Sequence, residues 1–145
     1  MPGIVVGVEG SPNSERALEW AMRYAAALQV PLQVLAVHEV PKSYWGHIPV
    51  IGPADEALLE QLRSDADQMT QRVADRLGAA RPASVSVRAV NGFVVKELVD
   101  AAHDADMVVL GSRSHHGVAR LVTGSVAHEV IEQSVSPVVL VPNVK

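Results

Sequence analysis

DMVVLGSRSHHGVARLVTGSVAHEVIEQSVSPVVLVP, residues Asp106 to Pro142, holds a strand, a glycine- and serine-containing loop, a helix and a second strand in direct succession. Met107 to Leu110 is short, apolar and β-branched, the composition of a buried strand. Gly111 follows at once, then a polar loop with Ser112, Arg113, Ser114, His115, His116 and Gly117. Gly124-Ser125 opens a helical pattern, and Val138 to Val141 reads as the last strand. A loop running from a strand into a helix start leaves backbone N–H groups free, and the helix dipole favours an anion there. Such an arrangement holds phosphate.

Upstream, the chain reads as the sheet that supports this loop. Ile4 to Val8 is an apolar strand, closed by Glu9, Gly10, Ser11 and Pro12. Ser11 has the character of an N-cap, with Pro12 at the first helical position. The helix is expected from Asn13 to Leu28, with Ala17, Leu18, Ala21, Tyr24, Ala25 and Leu28 as its buried stripe and Pro31 as its stop. Leu32 to Val40 is a second strand. Pro41 to Pro53 reads as a long loop, and loops of that length are commonly functional or mobile. From Ala54 a helix places Leu58, Leu62, Ala66, Met69, Val73 and Leu77 on one face, and Gly78 is its C-cap. Ser84 to Val90 alternates as a half-exposed edge strand does, Asn91-Gly92 reads as a turn, and a helix is expected from Phe93 to His103. Strands alternating with helices define βαβ units, hence a parallel sheet with right-handed crossovers.

Composition sets the outer limits. At 145 residues the chain is expected to be one domain, residues 1–145. Hydrophobic residues make up 48% and aromatics only 3%, so the core is aliphatic, as suits a parallel sheet between Ala-rich helices. A net charge of -4 gives no electrostatic case for nucleic acid or an anionic membrane. With no cysteine there is no disulfide, thiolate catalysis or cysteine-type zinc site. The opening residues lack a basic segment, and no apolar run is long enough to span a bilayer, so the expected location is the cytoplasm.

Open α/β sheets bind ligands beyond the carboxyl ends of their strands, where the strand order reverses. If the first and fourth strands are neighbours, Glu9 and Gly111 flank one crevice. The carboxylate would accept from ribose hydroxyls and the glycine loop would take phosphates.

Along essentially its whole length the chain resembles the universal stress protein family. Its nucleotide-binding members carry Gly-x2-Gly-x9-Gly-(Ser/Thr) after the fourth strand; here Gly111, Gly124 and Ser125 match, and Ser114 replaces the second glycine. Ser136-Pro137-Val138-Val139-Leu140-Val141 also looks like the family's final strand. The resemblance implies a five-stranded parallel sheet in the order 3-2-1-4-5 with helices on both faces, a Rossmann-like α/β fold. It further implies ATP with Mg²⁺ at the glycine loop and a homodimer through Val138, Val139, Leu140 and Val141. Carried over by position, Gly7, Val8 and Glu9 form the adenine and ribose wall and Val37 covers the adenine. Gly111, Arg113, Ser114, Gly124, Ser125 and Val126 form the phosphate loop. Two departures stand out. Glu9 occupies the place of the usual aspartate. At Ser114 a left-handed backbone would cost about 1–2 kcal/mol, which weakens phosphate binding.

Other chemistries find little support. The histidines have no H-E-x-x-H spacing, so no metal site is assigned. No G-x-S-x-G elbow marks a hydrolase, and no Walker lysine follows the glycines, so no catalytic residue is named and ATP hydrolysis should be slow at most. The leading reading is an ATP-binding dimeric stress-response regulator. The alternatives are a nucleotide-free protein-interaction module and a binder of AMP or cyclic AMP.

Overall fold

Five parallel strands form the central sheet, in the order β5-β2-β1-β6-β7. The computed structural model describes residues 2–9, 12–39, 42–43, 46–49, 53–112 and 125–142. The elements are β1 (Ile4–Val8), α1 (Pro12–Leu28), β2 (Pro31–Glu39), β3 (Lys42–Ser43), β4 (Gly46–Pro49), α2 (Pro53–Leu77), β5 (Ser84–Gly92), α3 (Val94–Ala102), β6 (Met107–Gly111), α4 (Ser125–Gln133) and β7 (Val138–Val141). Counting only the strands of the main sheet, this is the order 3-2-1-4-5 expected from sequence.

Alternation along β1 sends side chains to two cores. Ile4, Val6 and Val8 join Leu18, Met22, Val34, Met69 and Val73 beneath α1 and α2. Val5 faces the opposite side with Leu35, Leu98, Val108, Leu110 and Val130, beneath α3 and α4. Burying each Val or Leu fully contributes about 1.5–3 kcal/mol, so the aliphatic sheet is the main source of stability.

Several local expectations are corrected. Pro31 does not stop α1; Gln29 does, in the left-handed region at φ 56°. The Gln29 N–H donates to Ala26 O and the Val30 N–H to Ala25 O, a Schellman closure with glutamine in the usual glycine place. Gly78, at φ 67°, closes α2 as expected. Asn91 and Gly92 form no turn but extend β5, pairing in register with His38 and Glu39. The stretch 41–53 contains an antiparallel pairing of β3 with β4. Tyr24, Leu28 and Leu58, assigned to buried stripes, are exposed. Helical spacing gives the direction of a face but not how far the sheet beneath it reaches.

Candidate functional site: the crevice between β1 and β6

β1 and β6 are hydrogen-bonded neighbours only from Ile4↔Met107 to Val6↔Val109. Each continues pairing on its other side: β1 with β2 as far as Val8↔Ala36, β6 with β7 as far as Gly111↔Val141. The two central strands therefore part beyond Val6 and Val109. This is the point where the chain order reverses, because β1 leads through α1 to β2 and β6 leads through α4 to β7. Open sheets of this kind receive ligands at that opening.

The expected site residues fall around it in different ways. Glu9 follows the last residue of β1 and is exposed. Gly111 ends β6, and the next N–H, of Ser112, donates to Val141 O at 3.0 Å. Val37, near the end of β2, is half-buried against the α3–α4 core, as is Val126 in the first turn of α4. Ser125 begins α4. Because β6 and β7 are parallel, the start of α4 lies at the carboxyl rim of the sheet. Val8 is buried in the α1–α2 core, so only its backbone faces the opening. Gly7 has a packing role: a Cβ there would stand 2.9 Å from Leu110 Cδ2 and 3.0 Å from Leu98 Cδ2. Arg113, Ser114 and Gly124 lie outside the described residues.

Sequence reading missed three contacts on this rim. The buried Ser14 accepts the Glu9 backbone N–H on its Oγ at 2.8 Å. His38 Nδ1 and Asn91 Oδ1 are 2.9 Å apart across β2 and β5. Glu39 Oε1 accepts the Val94 N–H at 3.4 Å, at the start of α3 where the dipole favours a carboxylate. A signal for Ser14 was present, since it precedes Ala17 and Leu18 on the buried stripe of α1.

Away from the opening, α1 and α2 are joined by an ion-pair network on their outer faces. Arg76 Nη1 and Arg72 Nη2 donate to Glu15 at 2.8 and 3.1 Å, while Arg76 and Arg23 also donate to Glu19. Burial would raise the Glu15 carboxyl, but hydrogen bonds from Arg76 and Arg72 bring it below the ordinary glutamate range. The Arg23 hydrogen bond lowers Glu19 as well. A cavity of about 680 Å³ at the amino rim, beside the ends of α1 and α2, is lined by Arg23, Arg76, Arg81 and several alanines. Arg23 and Arg76 share Glu19, and Arg81 donates to Ala74 O, so each of these cations already has an acceptor. Among the described residues, no three His, Asp or Glu side chains group as a metal site.

Fold and opening together define a doubly wound α/β domain with its crevice at the switch point. The model of the Universal stress protein family matches residues 2–142, and the chain belongs to that family. Over 139 residues it is 31% identical to a universal stress protein of Mycolicibacterium smegmatis, covering 96% of this chain and 47% of that protein. Identity to a universal stress protein of Mycobacterium tuberculosis is also 31%, over 144 residues, with the same coverage. The chain thus spans about half the length of the curated relatives it matches.

Solved structures agree. A universal stress protein in complex with cAMP is 25% identical, with a TM-score of 0.68 over 97% of this chain and 96% of that one. One from Archaeoglobus fulgidus in complex with dAMP is 25% identical, with a TM-score of 0.66 over 97% of both. The Lactobacillus plantarum UspA, 23% identical with a TM-score of 0.71 over 97% of both, adds likeness of fold alone. Among the described residues no helix is long and apolar enough to cross a membrane.

Proposed function

We propose that the crevice between β1 and β6 binds an adenine nucleotide, and that the chain is a cytoplasmic, single-domain stress-response regulator over residues 1–145, at most a slow ATPase. The parting of β1 from β6 beyond Val6 and Val109 carries this reading. Glu9 is the ribose-side acceptor, Gly7 and Val8 offer backbone, and Val37 covers the base. Gly111, Arg113, Ser114, Gly124, Ser125 and Val126 make the phosphate side, where the first N–H groups of α4 favour an anion. Gly111 suits close approach because no side chain stands between its backbone and a phosphate. The ligand in this reading is ATP, and Mg²⁺ would neutralise its triphosphate charge.

The complexes of two relatives with cAMP and dAMP favour a second reading, in which the preferred ligand carries one phosphate. Calorimetry with Mg-ATP, AMP and cAMP separates the two, and mass spectrometry of gently purified protein identifies any nucleotide carried along. Tightest binding of Mg-ATP supports the first reading. Tightest binding of AMP or cAMP supports the second, and no binding of any of them leaves a nucleotide-free interaction module.

Homodimerisation through β7 completes the proposal. β7 is an edge of the sheet, all four of its residues are apolar, and Leu140 is 39% exposed. Edges of this kind invite pairing with another chain. Val139 packs toward the α1–α2 core, so Leu140 is the more informative position. Leu140→Lys should sediment as a monomer, and an unchanged dimer would move the interface elsewhere.

A further inference from the structure

The buried polar side chains among the described residues are Ser14 and Thr70, and they use their hydroxyls differently. Thr70 Oγ1 donates to Ala66 O, one turn back in its own helix. Ser14, in the first turn of α1 and 4% exposed, turns its Oγ out of the helix to accept the Glu9 N–H at 2.8 Å. β1 ends at Val8, so the Glu9 amide lies just past the ladder, and a backbone N–H at that place needs an acceptor. Ser14 supplies one from a buried side chain, one helical turn before the core residues Ala17 and Leu18. The bond spans residues 10–13 and ties the backbone of Glu9 to the start of α1.

We infer that Ser14 is a positioning residue for the nucleotide site, fixing the backbone from which the Glu9 carboxylate reaches the ribose hydroxyls. This rests on the proposal that the crevice binds an adenine nucleotide. Glutamate has one more methylene than aspartate and one more rotatable bond, so its carboxylate sweeps a wider arc from a given Cα. Fixing the Cα narrows that arc. Ser14 touches no ligand in this account; it acts through Glu9, and its effect falls on discrimination among sugars rather than on binding as a whole.

The test compares affinities for ATP and for its 2′-deoxy and 3′-deoxy analogues by calorimetry, in the unaltered protein, Glu9→Gln and Ser14→Ala. The unaltered protein is expected to prefer ATP over at least one analogue by about tenfold, as fits the loss of one charge-assisted hydrogen bond. Ser14→Ala should reduce that ratio to within about twofold of unity, as Glu9→Gln does, while Ser14→Thr, which keeps the hydroxyl, retains it. A merely structural serine would leave the ratio intact and lower only thermal stability, and that result overturns the inference. If Ser14→Ala does not fold, the Glu9 amide resonance of the unaltered protein decides. It should shift more with ATP than with the discriminated analogue, and equal shifts overturn the inference. An unaltered protein that binds none of the three overturns the ATP reading of the crevice, and the positioning role falls with it; binding of AMP or cAMP by the same protein would leave the broader nucleotide proposal standing. Binding of all three with equal affinity removes only Ser14 and Glu9 from the account.

Discussion

The two rims of the sheet are built differently. At the amino rim, turns are laced to one another across the strands. Asp106 N–H donates to Gly3 O at 2.7 Å, Val108 N–H to Pro137 O at 2.9 Å and Ala83 N–H to Val30 O at 3.2 Å. Gln29 Nε2 donates to both Ala26 O and Arg81 O. Ser136 Oγ lies 2.7 and 2.8 Å from Ala102 O and Ala105 O, tying the turn before β7 to the end of α3. At the carboxyl rim the central strands part, and the contacts of Ser14, Glu39 and His38 hold the margins of the opening. One rim spends its polar groups on closure, and the other, in the function proposed above, receives the ligand where the strands part. Function concentrates on loops that a rigid scaffold positions, and here the amino rim is that scaffold.

Substitutions at the amino rim should therefore lower stability without touching recognition. The largest effect is expected at Gly3, where a Cβ would stand 2.1 Å from Pro31 O. That contact is with backbone, so the starts of β1 and β2 must shift, and Gly3→Ala should cost about 3 kcal/mol in chemical denaturation. Ser136→Ala comes next, at about 1–2 kcal/mol, because the single hydroxyl proton shared between Ala102 O and Ala105 O is lost. Calorimetry on the folded fraction of either variant should return unchanged nucleotide affinity. A large loss of affinity in either would couple the rims and break the distinction between them.

The smallest effect is electrostatic. Glu15 and Glu19 titrate below the ordinary glutamate range in the folded chain, chiefly through their arginine partners. A depressed folded value means the pairing contributes fully above the unfolded value, roughly pH 4.3, and is lost as pH falls through the depressed one. The guanidinium groups are about half exposed, so the contribution is at most about 1 kcal/mol. Glu15→Gln should flatten the acid limb of a stability–pH curve, and an unchanged limb would show that the network contributes nothing measurable.

Much of the scaffold was legible because its signals are local and agree with one another. Pro12 opens α1, Gly78 closes α2, and β-branched runs alternate with helical stripes. What escaped reading depends on tertiary partners. Asn91-Gly92 is a strong turn signal, yet both residues pair with β2, and the His38–Asn91 contact helps hold them there. Gln29 adopts a backbone conformation that usually selects glycine, with its amide joining two turns 52 residues apart in sequence. Tyr24 belongs to the apolar stripe by spacing but stacks on Trp20 at the helix surface, with ring centroids 4.9 Å apart. Gly7 was assigned to the ligand wall; its missing side chain is accounted for by Leu98 and Leu110, which the spacing of residues within β1 does not reveal. Ser14 went unread because its partner lies back across the β1–α1 connection, not within its own helix.

The most direct measurement is an amide chemical-shift titration with Mg-ATP on the isotopically labelled chain. The largest shifts should fall on Gly7 to Glu9, Val37, Gly111 to Ser112 and Ser125 to Val126, with the turns at 29–31, 78–84 and 134–137 unmoved. Shifts concentrated around Arg23, Arg76 and Arg81 instead, or none at millimolar nucleotide, would contradict the assignment of binding to the opening between β1 and β6.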